Sequence, residues 1–358
     1  MNIAINKKSS NVAFVSVTAM LALLKHVGTE AFLLGFAKYI KDDFQRWETF
    51  DKSPRFAAHS PEGVIELMPT SDGQKFSFKY VNGHPKNTHI GLQTVTAFGV
   101  LSDVASGYPV MLSEMTILTA LRTAATSAMM AKYLAPRGAT TLAMIGCGAQ
   151  SEFQILACKV VLGITNVRIY DIDPSAMAKC QHNLADQGIT LTLCDSAESV
   201  IEGADMITTC TADKRNATIL TSKMVRDGVH INAIGGDCPG KTELEADLLL
   251  RADVFVEYEP QTRIEGDIQQ LDETFAVTEM YHVIRGEQQG RTHDSQLTIF
   301  DGVGFAIEDF SALRYVHDLI MQQQSHQQLE LLTNQENPRD LFGLLTPASQ
   351  ASRLAVGA

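Results

Sequence analysis

The sequence predicts an α/β protein in which a doubly wound parallel sheet stands beside an α+β unit with a mainly antiparallel sheet. Three observations predict it. Between Thr140 and Glu257 short apolar strands alternate with helical patterns, as in parallel strands joined by crossover helices. Between Val64 and Ser113 short β-type runs are separated by turn residues, as in antiparallel hairpins. At 358 residues the chain is long enough for each unit to have its own core.

Composition excludes several function classes. A hydrophobic content of 45% with 20% charged residues is that of a soluble globular protein. A net charge of −12, with no Lys/Arg cluster, argues against nucleic acid as a partner. The six cysteines form no CxxC pair and sit mostly in apolar segments, which reads as reduced thiols of a cytoplasmic protein rather than disulfides or zinc ligands.

Taken in order, Lys7-Lys8 followed by Val12 to Leu24 imitates the start of a signal peptide. However, Lys25 and His26 follow with no small-residue cleavage site, so a strand leading into a helix is predicted. No other segment is apolar enough for a membrane span. Strands follow at Val64–Met68, Phe76–Val81, Thr94–Leu101 and Tyr108–Ser113. In the second of these Phe76, Phe78 and Tyr80 share one face and Lys79 takes the other, so by position alone Lys79 reads as a solvated outer-face residue. A long helix is predicted from about Glu114 to Leu134. Its only charge between Met115 and Ala131 is Arg122, and a guanidinium buried in so apolar a helix needs an anion. Either a protein carboxylate or a bound carboxylate or phosphate would serve, and the ligand is the sharper expectation.

The parallel-sheet strands are expected at Leu142–Ile145, Val167–Tyr170, Thr190–Leu193, Asp205–Cys210, His230–Ile234 and Val254–Val256. Phe300 to Phe305 forms a second glycine turn before a helix running to about Gln323. A Gln-rich stretch (Gln322–Gln328) and a tail of small residues from Thr346, read as mobile and without chemistry, complete the chain.

Thr140 to Asp171 carries the first functional signal. A strand meets Gly146-Cys147-Gly148-Ala149-Gln150-Ser151, a helix follows, and a second strand ends on Asp171. Glycines permit a tight turn and close approach of backbone to a pyrophosphate, while the helix N-terminus offers free N–H groups. An acid at the end of the second strand accepts hydrogen bonds from a ribose diol and repels a 2′-phosphate, which selects NAD. The third glycine of the usual fingerprint is Ser151 here. Ligands of such sheets bind beyond the carboxyl ends of the strands, where Gly146, Asp171, Thr211 and Gly235–Asp237 all fall.

Asn232 to Glu243 is the strongest candidate for chemistry. It places Asp237 and Lys241 just past a strand end, in a loop shaped by three glycines and a proline. An acid near a nicotinamide could move protons on and off a nitrogen, although a turn aspartate that only bonds its own loop is the plainer reading. Cys238 reads as an ordinary loop cysteine, since no histidine stands at a suggestive position. His84 and His89 lack nearby acids or cysteines, and no catalytic metal is expected.

Phe78-Lys79-Tyr80-Val81-Asn82-Gly83-His84-Pro85, Arg122-Thr123-Ala124-Ala125-Thr126-Ser127, Ile145 to Gln154, Gly235 to Glu243 and Glu257 to Gly266 together resemble the ornithine cyclodeaminase/μ-crystallin family. The resemblance runs from about Arg55 to Tyr315. It implies a homodimer, with an NAD-binding Rossmann domain over residues 129–304. A substrate-binding and dimerisation domain would cover 1–128, completed by 305–358. By resemblance Arg55, Lys79 and Arg122 hold an amino-acid carboxylate, Asp237 is the acid/base, and Glu66 holds a water near the reacting centre. Thr94, Ala149, Gln150, Asp171, Thr211, the strand end Ile231, Asn232, Ala233 and Ile234, and Lys241 would contact NAD beside Gly146, Gly148 and Arg122, and Val303 would touch substrate. Gly302 departs from the serine expected there and puts a cofactor side-chain contact in doubt. The implied reaction is L-ornithine to L-proline plus ammonia, with NAD reduced and reoxidised in each turnover. Its rivals are the same chemistry on lysine giving pipecolate, a net ketimine reductase or amino-acid dehydrogenase, and a non-catalytic binding protein on the same fold.

Overall fold

A computed structural model describes residues 11–211, 217–323 and 326–345. Lys7-Lys8 and the tail from Thr346 lie outside the described residues. The chain enters through strand β1 (Asn11–Val15) and helix α1 (Val17–Val27), whose start is capped by Ser16 accepting from the Ala19 N–H. Gly28, at φ +83°, ends that helix and begins α2 (Thr29–Gln45). Among the described residues no single helix is long and apolar enough to cross a membrane; α1 and α2 pass such a test only as a pair bent by 99°. Five strands follow, β2 (Phe56–Ser60), β3 (Gly63–Ser71), β4 (Lys75–Gly83), β5 (Ala97–Asp103) and β6 (Pro109–Glu114), with each neighbouring pair from β2 to β6 antiparallel. Helix α3 (Thr116–Leu134) then leads to the second sheet.

That sheet holds β7 (Thr141–Ile145), β8 (Asn166–Tyr170), β9 (Thr190–Leu193), β10 (Met206–Thr209), β11 (His230–Ala233), β12 (Asp253–Val256), β13 (Thr278–Glu279) and β14 (Thr298–Asp301). All its pairings are parallel, in the order β13-β12-β14-β11-β10-β7-β8-β9. Between the strands run α4 (Ser151–Leu162), α5 (Pro174–Leu184), α6 (Ala197–Ile201), α7 (Ala246–Leu250), α8 (Glu259–Glu265) and α9 (Met280–Ile284). The six predicted strands are present. A seventh, β14, differs from expectation: Thr298–Asp301 is a sheet strand between β11 and β12, and the glycine turn begins only after it.

The chain then returns to the first sheet. Helix α10 (Ala306–Gln323) packs against α2, β3 and β4, and β15 (Gln327–Glu330) pairs antiparallel with β1. The sheet order is therefore β15-β1-β6-β5-β4-β3-β2. Phe32, Phe36 and Phe44 of α2 and Phe310 of α10 are fully buried in the core beneath it. Each such side chain contributes roughly 1.5–3 kcal/mol of burial free energy.

The polarity of this sheet is the reverse of that expected for β4. Phe56, Leu67, Tyr80 and Phe98 stand opposite one another across β2 to β5, and this row faces outward, with Phe56 78% exposed. Lys79 and Glu66 point inward and are buried. Lys79 is thus corrected from a solvated to an interior residue, since helix α10 covers the lysine face and leaves the aromatic face open.

Candidate active site

The nucleotide-type loop lies at the carboxyl end of β7. Gly146 has φ +95°, and a Cβ there would stand 2.7 Å from the Cys210 carbonyl oxygen, so the crossing of these two strand ends requires glycine. Gly148 faces open space instead, which leaves room for a ligand against the backbone. Ala149 and Gln150 lead into α4, and Gln150 Oε1 is buried with no partner in the chain. Ser151, at the third glycine position, donates from its hydroxyl to the Gly148 carbonyl at 2.9 Å and closes the turn. Asp171 accepts the Cys147 N–H at 2.7 Å through Oδ2 and the Asp173 N–H at 2.9 Å through Oδ1. Its carboxylate is fixed at the strand end with lone pairs to spare.

The loop after β11 meets the same crevice. Glu243 Oε1 accepts from both the N–H and the hydroxyl of Thr211, and Lys241 donates to the Thr211 carbonyl at 2.9 Å. Gly235 is required here because a Cβ would collide with the Glu243 carboxylate. Lys241 lies 3.4 Å from Asp237, whose side chain is 55% exposed. Burial opposes the Lys241 charge, yet Asp237 and Glu243 hold its pKa above the ordinary lysine value. Asp237 is joined to Lys241 by an ion pair, and more than half of its side chain is exposed.

Behind this opening lies a buried array of charges drawn from both sheets. Arg55 touches Glu66 on β3 and Glu265 on α8, each at 3.0 Å, and donates to the carbonyls of Val303 and Gly304. Lys79 donates to Asp309 at 2.9 Å. Arg122 donates to Glu308 at 2.8 Å and approaches Asp309 at 3.3 Å. Gly304, at φ +78°, makes room for the guanidinium, since a Cβ there would stand 2.4 Å from Arg122 Nη1. Glu257 accepts the N–H groups of Gly304 and Val303. Burial pushes the Lys79 ammonium down to about 8, helped by Arg122, against the pull of Asp309. Burial and the nearby Glu308 push Glu257 well above the usual carboxylate range.

Arg122, for which the sequence required an anion, pairs with the protein's own Glu308 and Asp309. Among the expected cofactor contacts, Ile231 and Ala233 are wholly buried in the sheet core, and Asn232 accepts or shares a proton with His230 at 3.0 Å. Ile234, at the end of this strand, is half-buried. Thr94 precedes β5, where its carbonyl accepts from His84 and Asn82 on the other unit. Gly302 lies in the crevice, its N–H donating to the Ala233 carbonyl, and Phe300 fills the space a side chain would need. Among the described residues no group of three or more His, Cys, Asp or Glu side chains is placed to hold a metal.

Sequence reasoning missed Glu265, Glu308, Asp309 and Glu257. A signal for two of them was present: Glu308 and Asp309 are adjacent acids in the first turn of their helix, and buried Arg122 required acids.

The chain is similar to known proteins over nearly its whole length. An ornithine cyclodeaminase of Brucella suis biovar 1 (strain 1330) is 62% identical over 334 residues, covering 93% of each chain. A solved lysine cyclodeaminase, described for recognition of L-lysine, L-ornithine and L-2,4-diaminobutyric acid, superposes with TM-score 0.87 at 27% identity. It covers 93% of this chain and 99% of its own. An archaeal alanine dehydrogenase dimer with bound NAD superposes with TM-score 0.81 at 27% identity, covering 89% of this chain and 99% of its own. The family model for ornithine cyclodeaminase/mu-crystallin matches residues 17–324, and the chain belongs to that family.

Proposed function

We propose that this chain is an ornithine cyclodeaminase, converting L-ornithine to L-proline and ammonia with NAD. The observation that carries the reading is its 62% identity, over 93% of both chains, to the Brucella enzyme of that name. Charge supports it independently. Three buried cations, Arg55, Lys79 and Arg122, face five buried carboxylates, Glu66, Glu257, Glu265, Glu308 and Asp309. A site so rich in acid suits a substrate that brings two ammonium groups with its one carboxylate. Alanine brings only one.

The crevice fits NAD: Gly146 and Gly148 clear the backbone, α4 presents its N-terminus, and Asp171 stands where a ribose diol would bind. NAD, when bound, supplies a hydride acceptor for the substrate Cα and a donor for the cyclic imine. The chain's own residues do the rest. Arg55, Lys79 and Arg122 orient the carboxylate, exchanging part of their present acid contacts for it, with Val303 beside it. Asp237, exposed to the crevice, takes the proton of the terminal amine so that its lone pair can attack Cα. Glu66 positions a water through its place beside Arg55. Holding the chain folded makes ring closure intramolecular, which removes several kcal/mol of entropic barrier, on the order of 7–11 at best.

In this reading residues 129–304 bind NAD, and 1–128 with 305–358 bind substrate and dimerise. The partner in the dimer is a second copy, seated on the outward apolar row Phe56, Leu67, Tyr80 and Phe98. Lysine is the second reading, because one methylene is worth only about 1–3 kcal/mol of discrimination and the solved lysine cyclodeaminase shares this fold. The test is incubation of the protein with NAD and ornithine, lysine or alanine. Ammonia and proline should form from ornithine with no accumulation of reduced nicotinamide. Reduced nicotinamide accumulating in step with product would replace this reading with a dehydrogenase.

A further inference from the structure

We propose that Glu265 is a second proton-holding carboxylate of this site, working beside Asp237; the inference rests on the ornithine reading above. The need for two follows from proton balance. Ornithine arrives with two ammonium groups. The α-nitrogen must lose a proton before the Cα hydride can leave to oxidised nicotinamide and form the C=N bond. The terminal nitrogen must lose a second proton before its lone pair forms the new N–Cα bond. The old Cα–N bond then breaks, ammonia leaves, and the hydride returns to Cα of the cyclic imine. Both protons return only afterwards, one to ammonia and one to the ring nitrogen of proline. Two protons therefore have to be held together, and the Asp237 carboxylate holds one.

The geometry points to Glu265 for the other. Arg55 is shared by two carboxylates, but they are bound differently. Glu66 accepts an aligned hydrogen bond from Arg55 Nη1 at 3.0 Å. Glu265 Oε2 lies 3.0 Å from Arg55 Nε, yet neither atom has an aligned hydrogen-bond partner. Glu308 and Asp309 are bonded by Arg122 and Lys79, and Glu257 by two backbone N–H groups. Glu265 is thus the buried acid least held in its charged state. The charged groups acting on it are Arg55 ahead of β2, Glu66 on β3 and Asp237 after β11. On its own helix Glu259 is engaged by Arg263, and the Gln261 amide holds Arg55 N–H and the Gly304 carbonyl. Burial pushes the Glu265 carboxyl up to about 7; Arg55 opposes the rise, and Glu66 and Asp237 add to it.

The test is Glu265→Gln, which keeps the size and neutrality of the protonated form but carries no exchangeable acid. Its kcat should fall by roughly 100-fold or more, as for a lost acid/base group, with NAD binding unchanged. The wild-type kcat/KM profile should carry an ionisation near 7 that the variant lacks. Difference infrared titration of the resting protein should show a protonated-carboxyl band that disappears on titration near neutrality and is missing from the variant. An unchanged pH profile together with an unchanged band would overturn the proposal. Should Glu265→Gln not fold, Glu265→Asp takes its place; it should keep the ionisation at a displaced midpoint, and an undisplaced one counts against the proposal. A wild type that yields no proline from ornithine overturns the ornithine reading instead, because the infrared titration reports the Glu265 proton without turnover.

Discussion

Lys79 and Asp309 meet at 2.9 Å across 230 residues of sequence, with both side chains 1% exposed. One comes from the fourth strand of the first sheet and the other from the helix that returns to it. Removing one partner of a buried pair costs about 3–5 kcal/mol, because the other charge is stranded. Asp309→Asn should therefore lower the urea midpoint substantially. Asp309 helps hold the Lys79 pKa up at about 8, so in the variant the stranded ammonium loses its proton at lower pH, and the loss should shrink as pH rises toward 8 and change little above it. A loss independent of pH would show that packing, not charge, was removed.

Asp237→Asn keeps size but cannot exchange protons, so turnover should fall by roughly two to four orders of magnitude. Cofactor affinity should survive, since the glycine loop and Asp171 lie on other strands. Ammonia release and an NAD titration on the same variant decide it; near-normal turnover would reduce Asp237 to a loop residue.

Asp171→Ser should relax the preference for NAD over NADP by removing a carboxylate that faces a 2′-phosphate. The Cys147 N–H also loses its acceptor, so binding of both cofactors should weaken. Comparable activity of the wild type with the two cofactors would refute the assignment.

Gly302→Ser, which restores the residue expected from the family resemblance, should destabilise this chain. A Cβ there would stand 2.7 Å from the Phe300 ring edge, and Phe300 is 1% exposed. Overpacking of this kind costs about 1–3 kcal/mol. Thermal melts of Gly302→Ser alone and with Phe300→Leu test it; the second change should recover the loss.

Asp301 gives a prediction for pH. Burial raises its carboxyl from 3.8 to about 7, against two backbone N–H groups that favour the charged form. A raised folded value means the folded state binds the extra proton, so its stabilising effect is present below 3.8 and is lost as pH rises through about 7. Stability of the wild type relative to Asp301→Asn should therefore decline over that window. Melting curves of the two proteins that run parallel across it would contradict the assignment.

The parallel sheet was legible because its strands are continuous apolar runs, each ended by glycine or a polar residue. β14 was not, because Thr298–Asp301 is four residues long and ends in an acid that only the fold buries. β15 carries Gln327 and Gln328, poor strand formers, and exists through its pairing with β1. For β4 the period of two showed that Lys79 opposes the aromatics, but nothing local says which face is covered. The same limit hid the partners of Arg122. Burial in an apolar helix announced that an anion was required, and Glu308 lies 186 residues away.

The first sheet is assembled from both ends of the chain, and this sets an order on its birth at the ribosome. The parallel sheet is encoded as one uninterrupted stretch and can close on itself while synthesis continues. The strands bearing Lys79 and Glu66 emerge earlier, yet Asp309 and β15 arrive only near the end. Until then Lys79, on the face that α10 will cover, lacks Asp309 as its counterion. The segment translated last therefore completes the unit translated first, and a nascent chain released before α10 has emerged lacks the acids that neutralise its interior.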